Sequence, residues 1–98
     1  MELKKELNGE NLNIALEGRL DTATSPSLEA ELKSSLAGVT ALNFDFEKLE
    51  YISSAGLRVL LSAQKTMTAQ GKMTLTNVRP EVKEIFDITG FSDFLTIL

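Results

Sequence analysis

The sequence predicts an α/β fold: a single domain over residues 1–98, with a mixed sheet opened by an antiparallel hairpin and amphipathic crossover helices between the later strands. Three observations carry this. Two short strand-like segments flank an Asn-Gly pair near the N-terminus, three apolar stripes at helical spacing follow, and strand-like segments alternate with those stripes. Alternation of strand and helix after a hairpin implies right-handed crossovers and mostly parallel pairing.

The first two strands are read at Glu2–Asn8 and Asn11–Glu17, where Leu12, Ile14 and Leu16 alternate with polar residues. Asn8-Gly9 between them is a hairpin signal, because both residues tolerate positive φ. Gly18-Arg19-Leu20-Asp21 ends the second strand, and a helix starts with Thr24 or Ser25 as N-cap and Pro26 in its first turn. Leu28, Leu32 and Leu36 form its stripe, which stops before Gly38. Ala41–Phe46 reads as the third strand and 47–52 as a connection. A second helix spans Ala55–Gln70, with Leu57, Leu60, Leu61 and Gln64 on one face, widened by Val59 and Ala63, and Gly71 stopping it. Lys72–Asn77 is the fourth strand. Pro80 opens a third helix with a stripe of Val82, Ile85, Phe86 and Ile88, Gly90 sits at its C-terminus with Phe91 packing back, and Phe94–Leu98 forms a last short strand or tail.

Composition narrows the function. The chain of 98 residues is 43% hydrophobic and 24% charged, which is ordinary for a globular domain and too apolar for a disordered one. It has no cysteine, which excludes disulfides, thiolate chemistry and Cys-ligated metal; it has no histidine, which removes the commonest general base. A net charge of −4 argues against nucleic acid as a partner. No apolar run approaches the ~20 residues of a membrane span, and the N-terminus has no apolar stretch of a secretory signal. The reading is a cytoplasmic, non-enzymatic domain that does not insert into membranes and asks for no more than a monomer.

Motifs for chemistry are absent. A phosphate loop would need glycine where Thr66 stands before Gly71-Lys72, and there is no dinucleotide fingerprint, so no cofactor or metal is expected. Asp21 and Asp45 could lie on neighbouring strands, but they read better as a turn residue and a solvent-facing strand residue. A phosphoacceptor-aspartate receiver is disfavoured by the opening hairpin and by the lack of any lysine after Arg79 except Lys83.

The informative stretch is Leu49–Leu61. One of Ser53 and Ser54 caps the second helix. Gly56 in the first turn costs about 1 kcal/mol against alanine and leaves room for something to approach closely. A phosphate on a serine there would meet free backbone N–H groups and the positive helix end, with Arg58 one turn beyond Ser54.

The run Tyr51-Ile52-Ser53-Ser54-Ala55-Gly56-Leu57-Arg58-Val59-Leu60-Leu61 resembles the signature of the STAS domain family, in particular its stand-alone bacterial anti-sigma factor antagonists; Gly18-Arg19-Leu20-Asp21, Asn43-Phe44-Asp45-Phe46 and the element order agree with it across the chain. The resemblance implies a partner-switching module that sequesters an anti-sigma factor acting as a serine kinase. Phosphorylation at this helix entrance ends the contact and a PP2C-type phosphatase restores it. The family's common form is Asp-Ser-Ser/Thr-Gly-Leu, so Ser53 stands for Asp, Ser54 for the first serine and Ala55 for the usual acceptor. The resemblance therefore points to Ser54 for phosphorylation, with Ser53 as alternative, and to Asp21, Thr22, Ser53, Ser54, Gly56, Leu57 and Arg58 for partner binding. The alternative is a STAS accessory subunit that docks on a membrane transport ATPase without phosphorylation.

Overall fold

A computed structural model describes residues 1–98. The hairpin pairs β1 (Glu2–Asn8) with β2 (Asn11–Leu20), antiparallel, from Asn8 opposite Asn11 to Glu2 opposite Glu17. Only Gly9 of the turn has positive φ, +64°, so glycine occupies the first central position of a two-residue turn while Asn8 stays in the strand. There follow α1 (Ser25–Ser35), β3 (Ala41–Ile52), α2 (Ser54–Gln70), β4 (Lys72–Thr76), α3 (Pro80–Thr89) and a 3-10 turn at Phe91–Asp93. The sheet order is β1-β2-β3-β4, with β2, β3 and β4 parallel. No helix is long and apolar enough to cross a membrane.

The parallel register aligns side chains in rows. Leu12, Leu42 and Met73 form one row and Ile14, Phe44 and Leu75 the next, all buried against the helices. One residue along each strand, the opposite face carries Asn13, Asn43 and Thr74. There the Asn43 Nδ2 donates to Asn13 Oδ1 at 2.6 Å, and the Thr74 hydroxyl donates to Asn43 Oδ1 at 2.9 Å. Sequence alternation thus becomes an apolar face under helices and a polar, hydrogen-bonded face without a second core.

β3 runs to Ile52, so the segment 47–52 is strand and not a connection. A bulge explains why alternation hid it. Between the pairs Ala15–Asp45 and Glu17–Lys48, β3 advances one residue more than β2, and a second shift follows Gly18. The buried residues beyond Phe44 are therefore Phe46, Leu49 and Ile52, at a spacing of three. β2 correspondingly continues past Glu17 to Leu20.

Three further corrections concern the helices and the tail. Along α2 the buried residues are Gly56, Leu57, Val59, Leu60, Ala63 and Met67, while Leu61 and Gln64 are only half-buried. On α3, Phe86 stacks on Phe46 of β3 with centroids 6.5 Å apart, but Ile88 lies off that face and is 77% exposed. The last residues form no strand: after the 3-10 turn the chain makes one bridge, Ile97 beside Leu75, held by the Leu75 N–H to Thr96 O and the Leu98 N–H to Leu75 O, both 2.9 Å. Of the two readings for Phe94–Leu98, short strand or tail, the tail holds, and only its end reaches β4.

α2 is held at its far end as well. The Gln70 amide donates to the carbonyls of Leu36 and Val39 at 2.7 and 2.6 Å, and the Lys72 N–H donates to Thr40 O at 3.0 Å. A Cβ on Gly71 would stand 1.8 Å from that Thr40 oxygen, so no side chain fits.

The packing predicts a contrast within α3. Phe86→Ala should lower unfolding free energy by about 3–5 kcal/mol, whereas Ile88→Ala should change it by less than about 0.5 kcal/mol; urea denaturation of both variants measures it.

Candidate functional site

The carboxyl ends of β2 and β3 lie side by side, with Leu20 opposite Ile52, and each strand turns there into a helix. The crevice beyond the carboxyl ends of parallel strands is where α/β sheets place their binding sites. The Ser53 N–H donates to the Leu20 carbonyl at 2.9 Å, tying the start of α2 to the end of β2.

Ser53 is the N-cap of α2, in extended conformation, and its hydroxyl accepts a long 3.5 Å bond from the Gly56 N–H. Its carbonyl accepts the first intrahelical bond, from Leu57 at 2.9 Å. Ser54 is thus the first helical residue, and it is exposed. The N–H groups of Ser54 and Ala55 precede the intrahelical ladder, and no acidic side chain stands in the first turn. Arg58, one turn on, is also exposed and belongs to none of the ion pairs. The entrance therefore presents a hydroxyl, two free N–H donors, the positive helix end and an unpaired guanidinium.

The approach to α1 is built differently. The Asp21 carboxylate accepts the Ala23 and Thr24 N–H groups on Oδ1 at 3.0 and 3.1 Å and lies 3.8 Å from Arg19 Nε. The Thr24 hydroxyl accepts the Asp21 N–H at 2.9 Å and lies 2.9 Å from Arg19 O, its acceptor. Ser25 is buried, its hydroxyl donating to Asp21 O at 2.6 Å. The hydrogen bond from the Thr24 N–H, more than any other influence, holds the Asp21 carboxyl below the usual aspartate range. Asp21 thus serves as the turn residue before α1. Beside it Thr22 is exposed, and across a groove between the helices Thr22 and Glu29 face Ala55 and Arg58.

Gly56 and Leu57 lie beneath this surface. Both are buried, Leu57 at 4% exposure. A Cβ on Gly56 would stand 2.8 Å from Ile52 Cγ1, 2.8 Å from Leu20 Cγ and 3.0 Å from Leu20 O. The room that the bare turn seemed to leave for a ligand is filled by the protein's own β2 and β3. Of the residues singled out in the sequence, Thr22, Ser54 and Arg58 are exposed together, Asp21 and Ser53 are engaged in the two turns, and Gly56 and Leu57 support them from inside. Thr24 was missed as the residue that fixes Asp21; the Asp-x-x-Thr spacing carried that signal. Arg19 and Tyr51 were missed too. Register partners on β2 and β3, they stack with the guanidinium 4.3 Å from the ring centroid, an exposed rim to the same end of the sheet.

Comparison with known proteins agrees with this architecture. A family model described as STAS domain matches residues 2–98. The Bordetella bronchiseptica protein BtrV, provisionally named an anti-sigma factor antagonist, is 42% identical over 78 residues, covering 78% of this chain and 67% of BtrV. The anti-sigma-B factor antagonist of Bacillus subtilis is 29% identical over 98 residues, covering 99% of this chain and 88% of that protein. Among solved structures, the unphosphorylated anti-sigma factor antagonist SpoIIAA shares the fold at a TM-score of 0.85 and 24% identity, covering 99% of this chain and 88% of the other. An anti-sigma factor antagonist from Mycobacterium paratuberculosis does so at 0.87 and 20%, covering 98% and 83%.

Two expectations follow from the geometry. Gly56→Ala should destabilise, because overpacking of about 1–3 kcal/mol outweighs the roughly 1 kcal/mol that alanine gains in helix propensity; urea unfolding measures it, and a midpoint unchanged or raised would contradict the packing. Asp21 has a folded-state pKa below its unfolded one, so the stability it lends is full above the ordinary aspartate range and is lost as pH falls through the depressed value. Carbon-13 NMR titration should show its carboxyl protonating below the ordinary aspartate range, and an Asp21→Asn variant should lose that transition.

Proposed function

The chain belongs to the STAS domain family, and from that premise we propose that it acts in the cytoplasm as an anti-sigma factor antagonist, docking through the α2 entrance on an anti-sigma factor that is also a serine kinase and released when Ser54 is phosphorylated. The naming of relatives such as BtrV and the Bacillus subtilis protein as anti-sigma factor antagonists supports the first part. The observation that carries the second is Ser54 itself, the exposed hydroxyl at the first position of α2, beside the free N–H groups of its own turn and the unpaired Arg58. The docking surface in this reading is Thr22, Ser54 and Arg58, with Asp21 and Ser53 fixing the two turns and Gly56 and Leu57 setting their depth.

The physics of the switch is local. Docking buries the Ser54 hydroxyl in a contact surface. Phosphorylation adds about −1.5 to −2 charges there. Inside the free protein that charge is welcome, because the N-terminal N–H groups and Arg58 stabilise it without any change of fold. Inside the contact it must be desolvated, and the complex loses affinity. A PP2C-type phosphatase returns the hydroxyl and the cycle restarts. Ser53 is the less suitable acceptor, because its oxygen already takes the Gly56 N–H.

The test is intact-mass spectrometry after incubation with ATP and the anti-sigma factor kinase, with Ser54→Ala as control. One added phosphate that disappears in the control is the expected result, and Ser54→Asp should bind the same kinase at least tenfold more weakly while unfolding normally, since acids suit a first helical turn. No added mass, from a kinase active on another substrate, overturns the switch and leaves constitutive docking, for example on a membrane transport ATPase.

A further inference from the structure

We propose that the free edge of β1 pairs with the same edge of a second copy of this chain, antiparallel, with Glu2 opposite the partner's Asn8. Although the sequence asks for no more than a monomer, β1 ends the sheet, and nothing lies beyond it. The two-residue turn makes Asn8 and Asn11 a hydrogen-bonded pair, and alternation makes Glu6–Asn13, Lys4–Ala15 and Glu2–Glu17 hydrogen-bonded pairs too. The backbone N–H and C=O groups of Leu3, Lys5 and Leu7 therefore point outward, unpaired in the sheet.

A two-fold axis through Lys5 satisfies them. Leu3 meets the partner's Leu7, Lys5 meets the partner's Lys5, and Leu7 meets the partner's Leu3, each pair exchanging backbone hydrogen bonds. On the polar sheet face the same register sets Lys4 opposite the partner's Glu6 and Glu6 opposite the partner's Lys4. On the helix face Leu7, a large apolar side chain left 58% exposed, is covered by the partner's Leu3. The one like-charge contact, between the two Lys5 residues, is moderated within each copy, where Lys5 pairs with Glu31 of α1 and donates to Ser35 Oγ at 3.2 Å.

Other registers fail on the same grounds. Moving the axis by one residue still pairs outward backbone groups, but it sets Lys4 against the partner's Lys4 and Glu2 against the partner's Glu6, or else Glu6 against the partner's Glu6. A shift by two toward the N-terminus pairs only residues 1–5 and leaves Leu7 bare, and toward the C-terminus it runs into the turn. Charges on an edge strand ordinarily deter such pairing; here their order turns them into ion pairs in one register. The contact is smaller than a standard interface, so association is weak and concentration-dependent. It rests on none of the Ser54 reading.

Sedimentation equilibrium of the full chain, with Lys4→Glu, Glu6→Lys and the double swap Lys4→Glu/Glu6→Lys, tests it. The wild type should dimerise reversibly, each single variant should raise the dissociation constant roughly tenfold, and the double swap should return it close to the wild-type value. Circular dichroism checks that all four fold alike; the substituted side chains are exposed. A wild type that stays monomeric to about 1 mM, a dimer indifferent to the single changes, or a double swap as weak as the singles would each overturn the proposal.

Discussion

The backbone of α2 meets the ends of β2 and β3 at a depth that a side chain would not allow. Gly56 is pressed between Leu20 and Ile52, and the Ser53 N–H is bonded to the Leu20 carbonyl. This contact fixes the position of the helix entrance relative to the sheet, and the placement of Ser54, Arg58 and the α1–α2 groove follows from it. The cost of a helical glycine, about 1 kcal/mol, is offset by the burial of Leu20, Ile52 and Leu57, each at 4% exposure or less.

The two helix entrances at this end differ in electrostatic completeness. The turn into α1 already holds a carboxylate, since Asp21 accepts its N–H groups and is thereby stabilised as the anion. The turn into α2 holds only neutral hydroxyls. Two neighbouring sites of similar geometry therefore have opposite appetites for negative charge. The contrast depends on Asp21 folding back on its own turn.

How far the sequence could be read depends on which signals were local. Leu12, Ile14 and Leu16, the Asn-Gly hairpin signal, the Leu28–Leu32–Leu36 stripe and a capping serine at 53 or 54 are local signals, and the fold carries each, with the turn at Gly9-Glu10 and the cap at Ser53. The second half of β3 was illegible because a bulge converts alternation into a spacing of three, and a bulge is set by the partner strand. Ile88 satisfied a helical spacing and yet found no surface to cover, since α3 lies against Phe46 with Phe86 in the contact. At the site, residue types were legible but depth was not. Gly56 read as space for a ligand, and Leu57 as part of a surface, because a one-dimensional pattern does not say that Leu20 and Ile52 occupy the space.

With glycine seated against backbone at both ends, α2 behaves as a ruler. Gly56 rests on the ends of β2 and β3, and Gly71 rests on Thr40 before β3 begins. The 17 residues from Ser54 to Gln70 span about 25 Å. Adding or removing one residue inside the helix would turn one end against the other by about 100°, so either the core stripe or the Ser54–Arg58 face would swing out of place. Length variation in descendants of this chain should accordingly collect away from α2 and from the 36–40 loop that seats its far end, while α2 keeps its residue count even as its outward side chains drift.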